Sequence, residues 1–291
     1  KRLKENMGKS FQGSIVLGKG FILSIDEAQR LLDKDARNKD VLYPYLTGED
    51  LNSRHDQSPS RWVINFHDWP LERARDYPDV FRIVEEKVKP EREKNPRKQR
   101  RERWWQFAER QPALYKAIEG MERVLVTSLV SKHINIHQTS NDKVYAHRLA
   151  VFVTSDIGFQ ALLQSHIHQI WARKYSSTLE GRLNYSPSDC FETFPIPRKL
   201  DVLNDIGERY NQFIQNECTT RNIGLTSLYN LIYESSHNDS LVVAMNALYR
   251  DLNAAVLTAY GWDDLRHAFA QYCEEGGRAF DLPAALVDEI M

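Results

Sequence analysis

Three polar side chains set the chemistry open to this chain: Glu180, Arg182 and Asn184, which alternate with Gly181 and Leu183 in the stretch from Leu179 to Pro197. In an extended segment all three would leave one face, because side chains repeat every two residues along a strand. A carboxylate accepts from cytosine N4, a guanidinium forks onto guanine O6 and N7, and a carboxamide pairs with adenine, so the trio suits base-edge readout in a DNA groove. The same residues also suit a solvated turn closed by an i, i+2 salt bridge, and side-chain chemistry alone leaves both readings open. Pro195 and Pro197 rule out helix at the end of the stretch and impose an extended exit, which makes it a hinge between two regions.

The elements that must hold this stretch lie just before it. Thr154-Ser-Asp156 is a helix cap, and Phe159, Leu162, Leu163, Ile167, Ile170 and Trp171 follow the 3.6-residue period, which predicts one long helix from Ile157 to Ser177. Such a helix would be a rigid arm for a reading loop. Upstream, Tyr145 to Val153 reads as a strand with His147 and Arg148 near its mouth, both candidate DNA contacts. The β-branched runs Arg123–Thr127 and His133–Ile136 predict sheet, separated by Ser131 and Lys132, and Lys132 is a further candidate contact. Thr139 to Lys143 reads as a polar turn.

Nearer the N-terminus, Phe11 to Ser24 mixes β-formers with glycines and predicts strands joined by a tight turn, with the candidate contact Lys19 at its tip. Gly18-x-Gly20 lacks the longer spacing and the helix-borne Lys-Ser/Thr of a phosphate loop. Ser24-x-x-Glu27 forms a capping box ahead of Ala28, Leu31 and Leu32, and Arg61 to Trp69 alternates as a half-buried strand. His67 and Asp68 at its end read as a strand-end turn, since no nucleophile or second carboxylate stands beside them in sequence. Asp79 with Glu85-x-Lys87 imitates a nuclease signature, but Val80 to Lys89 reads as helix, where that signature needs a strand.

Charge is unevenly spread. Residues 201–291 hold 14 acidic and 5 basic side chains, a balance of −9, so with −1 overall the first 200 residues carry +8. A polyanionic partner would meet that first part. Its strongest patch runs from Lys87 to Arg110, with ten Lys or Arg against four Glu; Arg97, Arg100, Arg101 and Arg103 are candidate phosphate contacts. Trp104 and Trp105 within it are assigned to packing first. Cys190, Cys218 and Cys273 are odd in number and widely spaced, which argues against a disulfide framework and a zinc site, and the His133, His137, His166 and His168 spacing does not complete a metal set. No apolar run is long enough for a membrane span and no N-terminal signal is visible, so the expectation is a cytoplasmic protein with no membrane partner.

Several motifs occur in one order over nearly the whole chain: Pro-Tyr-x-x-Gly-x-Asp-Leu at Pro44–Leu51, the set Leu163, Ser165, His168 and Trp171, Leu-Glu-x-Arg at Leu179–Arg182, Tyr185-Ser186, and Phe-x-Thr-Phe-Pro-x-Pro at Phe191–Pro197. Leu225–Asn230 and Val256–Asp264 add Leu-Thr-x-Leu-Tyr-Asn and Val-x-x-Ala-Tyr-Gly-Trp-x-Asp. Together they resemble the target-recognition domain and C-terminal region of MmeI-like (type IIL) restriction–modification enzymes and related phage-defence adenine methyltransferases. The resemblance implies a reader of double-stranded DNA, with Glu180 and Arg182 aimed at a target base. It also implies a parent that moves a methyl group from S-adenosylmethionine to adenine N6. The chain lacks the Asn/Asp-Pro-Pro-aromatic motif that clamps a flipped base, and Phe11-Gln-Gly13 lacks the second glycine of a donor loop. The reading is therefore a non-catalytic fragment that needs no cofactor of its own, with a methyltransferase domain of the same polypeptide expected before Lys1. The expected fold is α+β, a mixed-sheet recognition domain with flanking helices over residues 1–197 and an all-α domain over 198–291. A contrasting reading is a protein-interaction module that docks other defence subunits through its acidic helices without touching DNA.

Overall fold

A computed structural model of the chain describes residues 1–179 and 182–290, so Glu180, Gly181 and Met291 lie outside the described residues. Numbered along the chain, β2 (Ile22–Ser24), β3 (Leu42–Leu46), β4 (Arg61–Ile64) and β8 (Val144–Tyr145) form a sheet in the order β2-β4-β3-β8. A second sheet, β1-β9-β5-β7, joins β1 (Ser10–Gln12), β5 (Arg123–Ser128), β7 (His137–Ser140) and β9 (Leu149–Phe152). The third, β10-β11-β6, joins β6 (Val130–Ser131), β10 (Ser177–Leu179) and β11 (Arg182–Asn184). The pairs are antiparallel except β3 with β8.

Short helices are interspersed with these strands: α1 (Ile25–Lys34), α2 (Gly48–Ser53), α3 (Leu71–Ala74), α4 (Pro78–Lys87), α5 (Lys89–Glu93), α6 (Lys98–Glu102) and α7 (Pro112–Ala117). After them come α8 (Ile157–Gln164) and α9 (His166–Tyr175), and beyond the prolines the chain is helical, with α10 (Asn204–Arg221), α11 (Leu225–Glu234), α12 (Ser240–Tyr260), α13 (Asp263–Glu274) and α14 (Ala284–Ile290). The fold is α+β with a helical C-terminal part, as the sequence predicts. Among the described residues no helix is long and apolar enough to cross a membrane. The three cysteines are free.

The second sheet is apolar on both faces, and its period of two sorts the residues. Val124, Val126, Leu149 and Val151 pack with Leu46, Leu51, Leu114 and Ile118. Their neighbours Leu125, Ala150 and Phe152 join a larger core made by α8, α9 and the C-terminal helices. Each fully buried side chain of this kind contributes about 1.5–3 kcal/mol. The apolar core thus continues past Pro197 although the secondary structure changes there.

Four local expectations need correction. Phe11 to Ser24 is no hairpin: β1 and β2 belong to different sheets. The chain crosses between them at Gly13, where a Cβ would lie 2.2 Å from the Ala146 carbonyl oxygen, and Lys19 opens a 3-10 turn at Lys19–Phe21. His133 to Ile136 is not a strand, because glutamine side chains take the place of a partner strand: Ile136 N donates to Gln164 Oε1 at 2.9 Å and Gln160 Nε2 donates to the Ile136 carbonyl at 2.8 Å. The strand forms instead at His137–Ser140, across part of the expected turn. The long helix Ile157–Ser177 breaks at Ser165 (ψ 153°), whose hydroxyl donates to the Leu162 carbonyl at 2.7 Å and accepts from His168 N, so the serine ends α8 and caps α9. Tyr145 to Val153 likewise divides into β8 and β9.

Candidate nucleic-acid interface

The break between β8 and β9 makes a turn at His147 and Arg148, where the chain passes from the first sheet to the second. Around this junction lies a cleft of about 710 Å³. Lys19 reaches it from the loop before β2, Arg61 from the start of β4, Asn52 from α2, and Ser128 and Val130 from the ends of β5 and β6. Five segments remote in sequence therefore place Lys19, Arg61, His147 and Arg148 on one concave surface, with Glu49 3.5 Å from Arg61 as the carboxylate among them. Burial, and then the charge of Arg148, lower the His147 pKa. His147 is therefore neutral near pH 7 and can both donate and accept.

The position of α2 at this cleft follows from its cap. Thr47 Oγ1 accepts from Asp50 N, and the buried Asp50 carboxylate accepts from Thr47 N at 2.9 Å and from Ser60 N at 3.2 Å. Gly48 lets the helix start against β5: a Cβ there would meet Ser128 Oγ at 2.8 Å. The Pro44–Leu51 motif is thus a strand, a cap and a close approach beside the cleft.

The hairpin β10–β11 is attached to the same edge. Leu183 and Asn184 pair with Ser131 and Val130, and Leu129 links the two sites, donating to the Arg148 carbonyl at 2.8 Å and accepting from Tyr185 N at 2.6 Å. Leu179 faces Arg182 across the hairpin. The expectation of one extended face over Glu180, Arg182 and Asn184 includes Glu180, which lies outside the described residues; the described strands are Ser177–Leu179 and Arg182–Asn184, paired antiparallel. Asn184 is half-buried, its Nδ2 donating to Ser177 Oγ at 3.1 Å.

Helix α9 fixes the exit of the hairpin. His168 is sealed, with Nδ1 2.6 Å from the Leu163 carbonyl and Nε2 3.2 Å from the Tyr185 hydroxyl. The carbonyl can only accept, so Nδ1 carries the proton and the tyrosine donates to Nε2. Trp171 Nε1 donates to the Cys190 carbonyl at 3.1 Å. The motif residues Ser165, His168 and Trp171 are positioning residues for the 177–194 segment.

The remaining sequence candidates stand apart from the cleft. Lys132 Nζ donates to Asn230 Oδ1 at 2.9 Å and lies 4.0 Å from Glu234, both on α11. In the basic segment Arg97 and Arg103 are exposed, Arg100 lies 3.4 Å from Glu109, and Arg101 Nη1 donates to the carbonyls of Asn95 at 2.7 Å and Pro96 at 3.0 Å. Trp104 is buried and Trp105 donates to the Trp69 carbonyl at 2.9 Å, so both pack. Sequence reasoning missed Arg61 and Asn52; the first opens a strand recognised by its alternation, and nothing in that pattern marks its first residue as facing a cleft. It also passed over Arg92, a buried member of a run in which all the arginines look alike.

Gly13 and Gly20, the glycines nearest a donor-loop pattern, stand at close backbone and side-chain contacts. Gly13 is closed by the backbone of Tyr145 and Ala146, while a Cβ at Gly20 would meet Lys87 Cβ at 2.5 Å, so the N-terminal glycines serve close packing and leave no cradle. Among the described residues no group of three His, Cys, Asp or Glu is placed to hold a metal ion.

The architecture is that of an α+β recognition domain carrying a helical C-terminal part. The chain belongs to the family described as the target recognition domain of MmeI, which matches residues 5–198, and the resemblance drawn from the motifs is borne out. Among solved structures the chain is similar to MmeI, a type IIL restriction–modification enzyme determined in complex with DNA, at a TM-score of 0.68 and 18% identity. The match covers 97% of this chain and 34% of that one, so the chain spans about a third of the MmeI chain. No curated protein matches.

Proposed function

We propose that this chain is the sequence-reading module for duplex DNA in a type IIL restriction–modification enzyme, and that the cleft between the sheets is the surface that meets the duplex. The observation that carries the reading is the convergence of Lys19, Arg61, His147 and Arg148 on one concavity, with the β10–β11 hairpin fastened to its edge through Leu129. Cations there would neutralise phosphates and set the register, while Glu180, Arg182 and Asn184 meet base edges. Family membership supports the assignment, and MmeI itself was solved with DNA.

The parent enzyme on this reading transfers a methyl group from S-adenosylmethionine to adenine N6 in a separate domain of the same polypeptide, serves phage defence, and works in the cytoplasm. This chain supplies recognition and no step of the transfer. The test is fluorescence anisotropy of the purified chain with mixed-sequence duplex across a salt series. Binding that weakens linearly in log K against log salt, with a slope of about −0.9 for each phosphate neutralised, supports the reading. Absence of duplex binding at low salt, with capture of other defence subunits instead, would favour the interaction-module alternative.

A further inference from the structure

One arginine of the basic segment is sealed inside the protein. Arg92 is 1% exposed. Its Nε donates to the Leu17 carbonyl at 2.9 Å, and its Nη2 donates to the carbonyls of Val16 at 3.0 Å and Gln106 at 3.2 Å. Its Nη1 has no partner among the described residues, and among them Arg92 enters no ion pair. A buried charge left in this state is costly, and proteins retain one where something compensates it.

Arg92 lines a cavity of about 330 Å³ together with Gln99, Arg100, Arg103, Gln106 and Arg110. With Gln111, four guanidiniums and three carboxamides thus border one space. The opposing carboxylates are Glu109, 3.4 Å from Arg100, and Asp68, 3.7 Å from Arg110 and itself largely exposed, so positive charge stays in excess. Burial, with repulsion from Arg100, presses the Arg92 pKa down to about 10, which leaves it charged at neutral pH. The surrounding backbone is held in unfavourable conformations: Leu17, whose carbonyl accepts from Arg92, has φ 50°, and Gln111 on the cavity wall has φ 56°. Left-handed backbone at residues with a Cβ costs of order 1–3 kcal/mol and gathers at functional sites.

We propose that this cavity is an oxyanion seat that takes one phosphate group, from the backbone of a bound duplex or from free phosphate. Arginine forks match the tetrahedral oxyanion, and the exposed Gln99 carboxamide adds a neutral donor. The duplex-bound form of the proposal rests on the DNA-reading function. It gives the seat a second consequence, because Arg92 holds the carbonyls of Val16 and Leu17, three and two residues before Lys19 at the cleft. A phosphate in the seat fixes the loop that presents Lys19, and so registers the duplex against the reading surface.

The test titrates inorganic phosphate into the purified chain by calorimetry, beside the double variant Arg103→Gln/Arg110→Gln, in which an exposed and a half-buried residue change and the Arg92 anchor stays intact. Loss of one charge-assisted bond predicts at least about tenfold weaker phosphate binding in the variant. A second arm measures a mixed-sequence duplex carrying single neutral methylphosphonate links. One such link should weaken binding by the wild type and leave the variant unaffected, and the salt slope of the variant should be shallower by about 0.9 for each phosphate it no longer neutralises. Equal phosphate binding by both proteins overturns the seat, as does duplex binding with identical salt slopes and no sensitive link. Phosphate binding that the variant loses, in a protein that binds no duplex, keeps the seat for free phosphate and refutes the DNA-reading function instead.

Discussion

The Tyr185 hydroxyl lies 3.2 Å from His168 Nε2, with both residues buried, and this contact joins the end of the β10–β11 hairpin to helix α9. The other ring nitrogen of His168 is committed to the Leu163 carbonyl, so the tyrosine is the donor and the histidine must stay neutral to accept. Replacing Tyr185 by Phe leaves Nε2 buried and unsatisfied, at a cost of about 1–3 kcal/mol. Denaturant unfolding of Y185F should show a lower midpoint with an unchanged slope. A midpoint equal to that of the wild type would mean that the bond does not form.

Acid should weaken the fold through its buried histidines before most carboxylates protonate. Burial pushes the pKa of His133, His166 and His168 down to about 4, well below the ordinary value near 6.5. Groups depressed in the folded state contribute stability that is fully present above the unfolded value and is lost as pH falls from about 6.5 through the folded value. His133 is the member to test, because its ring stacks on Tyr233 at 4.8 Å and Lys132 and Arg173 also disfavour its charged form. The melting temperature should therefore decline between pH 6.5 and 4, and His133→Phe, which keeps the stack, should flatten part of that decline. An identical pH profile for the variant would remove His133 from the account.

Gly224 sits where the helical part meets α2. A Cβ there would lie 2.4 Å from the Ser53 carbonyl carbon and 2.5 Å from the Asn52 oxygen, so Gly224→Ala must push α11 away from the helix that carries Asn52 to the cleft. Overpacking of this kind costs about 1–3 kcal/mol. The variant should melt earlier and bind duplex more weakly than its folded fraction accounts for. Normal melting would show that the contact yields without strain.

How much of this could be read from residues depends on where each hydrogen bond goes. Ser24 and Glu27 announce a capping box, and the structure forms it, with Glu27 N donating to Ser24 Oγ at 3.2 Å and Ser24 N to Glu27 Oε2 at 2.8 Å. The α+β class and the helical tail were equally legible, because their periods are local. His133–Ile136 misleads because its β-branched residues fit a strand, yet its partners are the side chains of Gln160 and Gln164, far off in sequence. The cleft was half visible: Lys19, His147 and Arg148 were picked out singly, but the sheet junction that gathers them with Arg61 is a property of topology.

The exposed and the tethered arginines of the basic segment should separate under charge reversal. Arg97→Glu and Arg103→Glu change exposed side chains, so they should weaken binding to all duplexes alike and flatten the salt dependence without moving the melting temperature. Arg101→Glu removes the guanidinium that caps the Asn95 and Pro96 carbonyls and should lower the melting temperature as well. If all three behaved alike in both assays, the tether would have no energetic weight.

Glu180 and Arg182 are expected to read one base pair together. Arg182 begins β11, whose next two residues pair with Ser131 and Val130, and through Val130 and Leu129 the strand is fixed to the cleft that holds Arg148. A reading residue on so short a lever from the cleft keeps its register, which discrimination of about 1–3 kcal/mol per good contact requires. A carboxylate accepting from cytosine N4 beside a guanidinium donating to the paired guanine specifies a C·G pair. In the full-length enzyme, changing Glu180 and Arg182 together should therefore redirect modification at one position of the site and leave the others alone. Methylome sequencing of cells carrying the double variant reads this directly. An unaltered motif would assign the pair to a surface salt bridge, and loss of methylation at every site would assign it to the folding of the hairpin.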